Sequence, residues 1–82
     1  MSVELTFYTR RWCHLCHDFL LALAPLQAEF AFSVRELDVD EHPELEALYG
    51  EHIPVLWHDG HELCRHALDE RAVRRYLLNL RD

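Results

Sequence analysis

The sequence predicts a small α/β domain, and three observations predict it. Runs rich in β-forming residues alternate with helical stretches, Asp59-Gly60 separates two strand-like runs, and Cys13-His14-Leu15-Cys16 stands where the first strand gives way to the first helix. Half of the 82 residues are hydrophobic, which suits one packed core, so residues 1–82 read as a single domain.

Taken in order, Val3 to Tyr8 alternates and ends at the polar Thr9-Arg10-Arg11, which gives a first strand. His14 to about Phe32 is too long and too rich in Leu, Ala and Phe for a strand, so it reads as a helix. Pro25 cannot donate to the Leu21 carbonyl and should kink that helix or make it restart. Ser33 to Val39 gives a second strand, with Leu37 and Val39 on one side and Glu36 and Asp38 on the other. Asp40 is placed to cap a short helix starting near Pro43 and Gly50 to end it, with Leu45 and Leu48 as its inner face.

Ile53 to His58 and His61 to Cys64 then flank Asp59-Gly60, a dipeptide favoured in two-residue hairpin turns, and form a third and fourth strand. Asp69 is placed to cap the last helix, where Leu68 and Val73 have the spacing of a hydrophobic staple. Val73, Tyr76, Leu77 and Leu80 form its apolar stripe, and Arg71, Arg74, Arg75 and Arg81 face water. The order contains a βαβ unit, whose crossover should be right-handed.

Composition excludes several functions. The formal charge is -7, from 15 acidic and 8 basic residues, and the basic ones are all arginine, which argues against a nucleic-acid partner. Met1 to Arg11 lacks a long apolar stretch behind a basic start, and no run of about 18 uncharged apolar residues occurs. Neither export nor membrane insertion is therefore expected, and the location expected is cytoplasmic. The only glycines are Gly50 and Gly60 and the only serines Ser2 and Ser33, so no phosphate-cradling loop, dinucleotide fingerprint or serine nucleophile elbow fits. Three cysteines do not make a secreted disulfide framework, which leaves redox or metal chemistry.

The informative stretch is Arg10-Arg11-Trp12-Cys13-His14-Leu15-Cys16-His17. At a helix start the unpaired amides and the macrodipole favour an anion, and a thiol pKa there can fall from about 8.5 to roughly 3.5 to 7.5. Cys13, at the exposed start, is expected to be the attacking thiolate, and Cys16, one turn inside, to resolve the mixed disulfide. Arg10, Arg11 and His14 add positive potential that favours the thiolate. Trp12 has two readings, a residue packed beside the site or part of a partner surface. Ile53-Pro54, if cis, would hold a backbone edge beside the cysteines where an extended substrate could pair.

Tyr8-Thr9-Arg10-Arg11-Trp12-Cys13-His14-Leu15-Cys16, followed by Ile53-Pro54-Val55-Leu56 and an Asp-Gly hairpin, resembles the short bacterial glutaredoxin-like proteins of the thioredoxin superfamily over essentially the whole chain. The resemblance implies a thioredoxin-like fold, with four mixed strands in the order 2-1-3-4 and helices on both faces. It also implies that Cys13 is the nucleophile, that Cys16 resolves, and that Pro54 is cis and borders the substrate groove.

Where typical glutaredoxins have Cys-Pro-Tyr-Cys, this chain has Cys13-His14-Leu15-Cys16, and where they carry a Gly-Gly pair for the glutathione carboxylate it has Cys64-Arg65-His66-Ala67. Arg65, or the start of the last helix near Asp69, is the feature left to attract a carboxylate. The implied activity is thiol/disulfide exchange in redox homeostasis, on protein or low-molecular-weight disulfides. No bound cofactor is expected, glutathione or a reductase system would donate the electrons, and a monomer is favoured.

Three rival readings share the motif. Cys13-His14-Leu15-Cys16-His17 matches a c-type haem attachment site, but Met1 is the only methionine and no second axial Met is available. Cys13 and Cys16 could also be half of a zinc or iron–sulfur site completed by Cys64 or His66, although a second closely spaced pair is missing. The third is a non-catalytic binding module on the same fold. Cys64 itself reads as a buried free thiol acting as a small hydrophobe, and His52, which precedes Ile53-Pro54, could face the cysteines.

Overall fold

The structure is a computed structural model that describes residues 3–81, the side chain of Arg81 excepted. Its elements are β1 (Glu4–Thr9), α1 (His14–Phe30), β2 (Ser33–Asp38), a short 3-10 helix (Val39–Glu41), α2 (Pro43–Tyr49), β3 (Val55–His58), β4 (His61–Arg65) and α3 (Glu70–Arg81). The four strands form one sheet in the order β2-β1-β3-β4. β1 runs parallel to β2, from Glu4 opposite Ser33 to Thr9 opposite Asp38. β3 runs antiparallel to both β1 and β4. The ends of β1, β2 and β4 and the start of β3 therefore meet at one end of the sheet.

Strand periodicity sorts the core into two layers, because successive side chains point to opposite faces. On one face Leu5, Phe7 and Leu56 pack with Cys16, Phe19, Leu23 and Leu26 of α1 and Val73 and Leu77 of α3. On the other, Tyr8 and Val55 pack with Val39, and Leu45 and Tyr49 of α2 lean against them. The adjacent pairs Phe7/Tyr8 and Val55/Leu56 thus each feed both layers. The Tyr8 and Tyr49 rings stack with centroids 4.3 Å apart and planes 12° apart, which ties α2 to the sheet.

Several local expectations need correction. α1 runs through Pro25 without restarting. Leu21 and Pro25 are both exposed, so the carbonyl that loses its donor lies on the solvent side of the helix. α1 stops two residues before Phe32 because Ala31 turns left-handed (φ 56°), with its N–H bonded to the Gln27 carbonyl, and this drops Phe32 into the core. Asp40 does not cap α2, whose N-cap is His42 without a side-chain bond. Asp38 instead caps the 3-10 helix through the Asp40 N–H (2.8 Å).

Gly50 does end α2, but in a right-handed conformation (φ -53°). Leu48 is 64% exposed, so Tyr49 takes the inner position expected of it. Leu80 is likewise largely exposed and leaves the stripe of α3 to Val73, Tyr76 and Leu77. Arg74 lies on the surface but is held by Glu29 and Glu70.

The hairpin forms at Asp59 and Gly60, both with positive φ (46° and 83°), as a primed two-residue turn requires. A register shift between Leu56 and Trp57 adds a bulge in the β3–β4 pairing, with Leu56 opposite Cys64 and Trp57 opposite Glu62. Asp69 caps α3 by accepting from the Ala72 N–H (3.1 Å), and Leu68 packs against the core cluster to which Val73 belongs.

Candidate active site

β1 delivers the chain to the end of the sheet, and the turn Arg10-Arg11-Trp12 reverses it into α1. Cys13 is the N-cap of α1, with an extended backbone (φ -100°, ψ 106°), and its Sγ accepts from the Cys16 N–H at 3.1 Å. The sulfur takes the place that a Ser, Thr or Asp oxygen usually fills at a helix start. Cys13 and Cys16 are joined as a disulfide with Cα atoms 5.2 Å apart. Cys13 is half-buried, whereas Cys16 is only 3% exposed and sits on Phe19 and Leu23 within the core. Access to the pair is therefore unequal.

A shallow groove of about 470 Å³ runs past the sulfurs, lined by Arg10, Trp12, Cys13, His14, His17 and Leu20 among others. Four of the residues singled out from the sequence line it with Cys16: Arg10, Trp12, Cys13 and His14. Arg11, Ile53, Pro54 and Arg65 do not. His17 and Leu20 were missed as groove residues, and the signal was their helical spacing, since His17 lies four beyond Cys13 and Leu20 four beyond Cys16.

The expected positive potential is differently arranged. The Arg10 Nε–H is shared between both Asp40 carboxylate oxygens (3.0 Å each), one terminal nitrogen donates to the Gly50 carbonyl (3.4 Å), and the other reaches Glu46 (3.5 Å). Its charge is thus offset, and it fastens the turn before Cys13 to the start and end of the α2 region. Arg11 is exposed. Trp12 does not pack beside the site: it is 97% exposed, with a left-handed backbone (φ 61°).

The Ile53–Pro54 peptide bond is cis, Pro54 is buried, and its carbonyl accepts from the His66 N–H at 2.7 Å. Ile53 packs against both core layers. Arg65 forms a two-pronged pair with Glu62 (2.7 and 2.6 Å), which holds the Glu62 carboxyl below the usual carboxylate range. His52 lies outside the groove and faces His66, with ring centroids 6.3 Å apart. Cys64 is a half-buried free thiol that packs against the core, and burial pushes its pKa up. Among the described residues no three His, Cys, Asp or Glu side chains gather as a metal site. No helix among them is long and apolar enough to cross a membrane.

A four-stranded mixed sheet in the order 2-1-3-4, helices on both faces and a Cys-x-x-Cys opening the first helix define a domain of the thioredoxin-like fold. Residues 4–78 match the model of the Glutaredoxin-like domain (DUF836), and the chain belongs to that family.

Uncharacterized proteins of Mycobacterium tuberculosis and Mycobacterium bovis are 32% identical to it over 76 residues, spanning 87% of this chain and 78% of their own length. The solution structure of protein Ne2328 from Nitrosomonas europaea is similar at a TM-score of 0.84 and 31% identity, over 93% of this chain and 92% of that one. A protein from X. campestris gives a TM-score of 0.71 at 35% identity, over 92% and 96%. Thioredoxin 1 of Thermosipho africanus shares the fold at a TM-score of 0.62 and 19% identity, over 96% and 99%.

Proposed function

We propose that the protein is a dithiol/disulfide oxidoreductase working through Cys13 and Cys16. The observation that carries this reading is the inequality of the two sulfurs: Cys13 caps α1 with an amide N–H directed at its Sγ, while Cys16 is 3% exposed behind it. In the reduced protein that amide and the helix dipole favour the Cys13 thiolate. The thiolate attacks a disulfide and forms a mixed disulfide as the other sulfur leaves. Cys16 then attacks the Cys13 sulfur, releases the second thiol and closes the Cys13–Cys16 bond, so two electrons pass to the substrate.

The substrates are protein or low-molecular-weight disulfides, and no bound cofactor takes part. Glutathione or a reductase system restores the dithiol in a cytoplasmic, monomeric protein. His14 and Arg11, at the mouth of the site, favour the thiolate further, and Ile53 and Pro54 border the path of an extended substrate. Arg10 acts mainly by fastening the turn that carries Cys13.

The test is disulfide reductase turnover with Cys13→Ser and Cys16→Ser, together with a redox titration of the pair. Cys13→Ser should abolish turnover, and Cys16→Ser should stop at a trapped mixed disulfide. Retained turnover in Cys13→Ser would refute the reading.

A further inference from the structure

Two sets of observations, both at the end of the sheet that carries Cys13, bear on what the site accepts. The first is apolar surface facing water. Trp12 is 97% exposed and held at φ 61°, a region that bulky residues seldom occupy, and Leu15 one turn on is 54% exposed. Neither the backbone nor burial of the ring in this chain accounts for an indole there. A rigid aromatic side chain beside a reactive sulfur is the kind of residue that dominates contacts with a polypeptide partner.

The second set concerns features that would receive a carboxylate, and each already holds one from this chain. Arg10 is taken by Asp40 and Glu46, Arg65 by both oxygens of Glu62, and the first turn of α3 by Asp69 on the Ala72 N–H. Arg11 remains, on the rim and outside the groove lining. A chain of net charge -7 adds a repulsive field against small anions.

We propose that the site takes polypeptide disulfides whose cysteine is flanked by large apolar side chains, with Trp12 as the specificity-determining contact, and discriminates against glutathione disulfide, whose carboxylates meet Arg10, Arg65 and the start of α3 already paired. The proposal rests on Cys13 and Cys16 being a redox pair. In the step concerned, the Cys13 sulfur bonds to the peptide cysteine as the substrate S–S bond breaks and its other sulfur leaves as a thiolate. Cys16 then displaces the peptide thiol. The substrate gains two electrons, the protein ends as the Cys13–Cys16 disulfide, and a dithiol such as dithiothreitol restores it.

The experiment follows oxidation of the reduced full chain by stopped-flow tryptophan fluorescence or rapid quench. The oxidants are glutathione disulfide, a neutral peptide disulfide with Phe and Leu beside the cysteine, the same peptide with Asp and Glu there, and 2-hydroxyethyl disulfide as a small uncharged reference. The apolar peptide should react at least tenfold faster than glutathione disulfide and than its acidic counterpart. Trp12→Gly, which also suits the left-handed backbone, should lower the ratio of the apolar-peptide rate to the reference rate at least fivefold. Trp12→Phe should keep most of it.

Glutathione disulfide reacting as fast as the apolar peptide, or Trp12→Gly slowing all four oxidants equally, would overturn the proposal and leave the redox reading standing. Failure of every oxidant, the small reference included, would sink the redox reading and the proposal with it.

Discussion

At the start of α1 the apolar surface lies outside: Trp12 and Leu15 face water, above a floor of Cys16, Phe19 and Leu23 that admits none. At the neighbouring corner between β4 and α3 the pattern is the reverse. Arg65 is paired with Glu62, Asp69 with the Ala72 amide and the His66 N–H with the Pro54 carbonyl, and Cys64 and Leu68 pack inward. Both corners belong to the same end of the sheet. The one that meets its own hydrogen-bonding needs builds the fold, and the one that leaves an aromatic ring uncovered is the one with something to gain from a partner.

The largest expected effect tests the floor. Phe19→Ala removes a fully buried ring from beneath Cys16 and should lower stability by about 3–5 kcal/mol, read from urea unfolding of the oxidised protein. A loss below about 1 kcal/mol would mean that the floor is looser than its burial indicates. Next, Asp69→Ala removes the α3 cap and should cost about 1 kcal/mol while leaving the alkylation rate of Cys13 in the reduced protein unchanged. An altered Cys13 rate would show that the two corners are coupled.

Cys64 should be alkylated more slowly than an ordinary thiol, and more slowly than Cys13 near neutral pH. Burial raises its pKa, so the folded state holds the proton more tightly than the unfolded chain does. Its share of stability is therefore complete below the ordinary thiol pKa of about 8.5 and is lost as pH rises through the higher folded value. Cys64→Ala should flatten that alkaline limb in urea unfolding measured at a series of pH values.

The smallest effect is at Glu62. Its carboxyl pKa is lowered mainly by the hydrogen bonds from Arg65, so its contribution is present above the usual carboxylate pKa of about 4.3 and disappears as pH falls through the lower folded value. Glu62→Gln should reduce the acid dependence of stability only slightly, because the pair is largely solvated. A steep change in the acid limb would make this corner more than a surface pairing.

Much of the fold was legible because its signals are local. The alternation around Leu5 and Phe7, the Asp59-Gly60 turn and the Asp69 cap each act over a few residues. The strand order came from the family resemblance, since nothing local fixes which strands become neighbours. Errors arose where a distant partner decided. Asp40 has the composition of a cap, but Arg10, thirty residues earlier, claims it. Leu48 fits the helical stripe of α2, but the Tyr8 ring draws Tyr49 inward instead. Ala31 ends α1 in a conformation usually left to glycine, because the chain must turn there to bring Phe32 under the sheet.

The site divides the same way. The Cys13–Cys16 pairing could be read from spacing, whereas the offset charges of Arg10 and Arg65 depend on carboxylates whose nearness only the tertiary fold creates.

Val73 and Leu77, which close the larger layer of the core, come from α3, the last element among the described residues. During synthesis, then, the sheet and α1 emerge with a greasy hollow still open, and no amount of early pairing among the strands can seal it. Ribosome-bound intermediates truncated ahead of Glu70 should accordingly present sticky surface to holdase chaperones, and the cysteine-bearing end of the molecule should acquire its final rigidity only once α3 has docked.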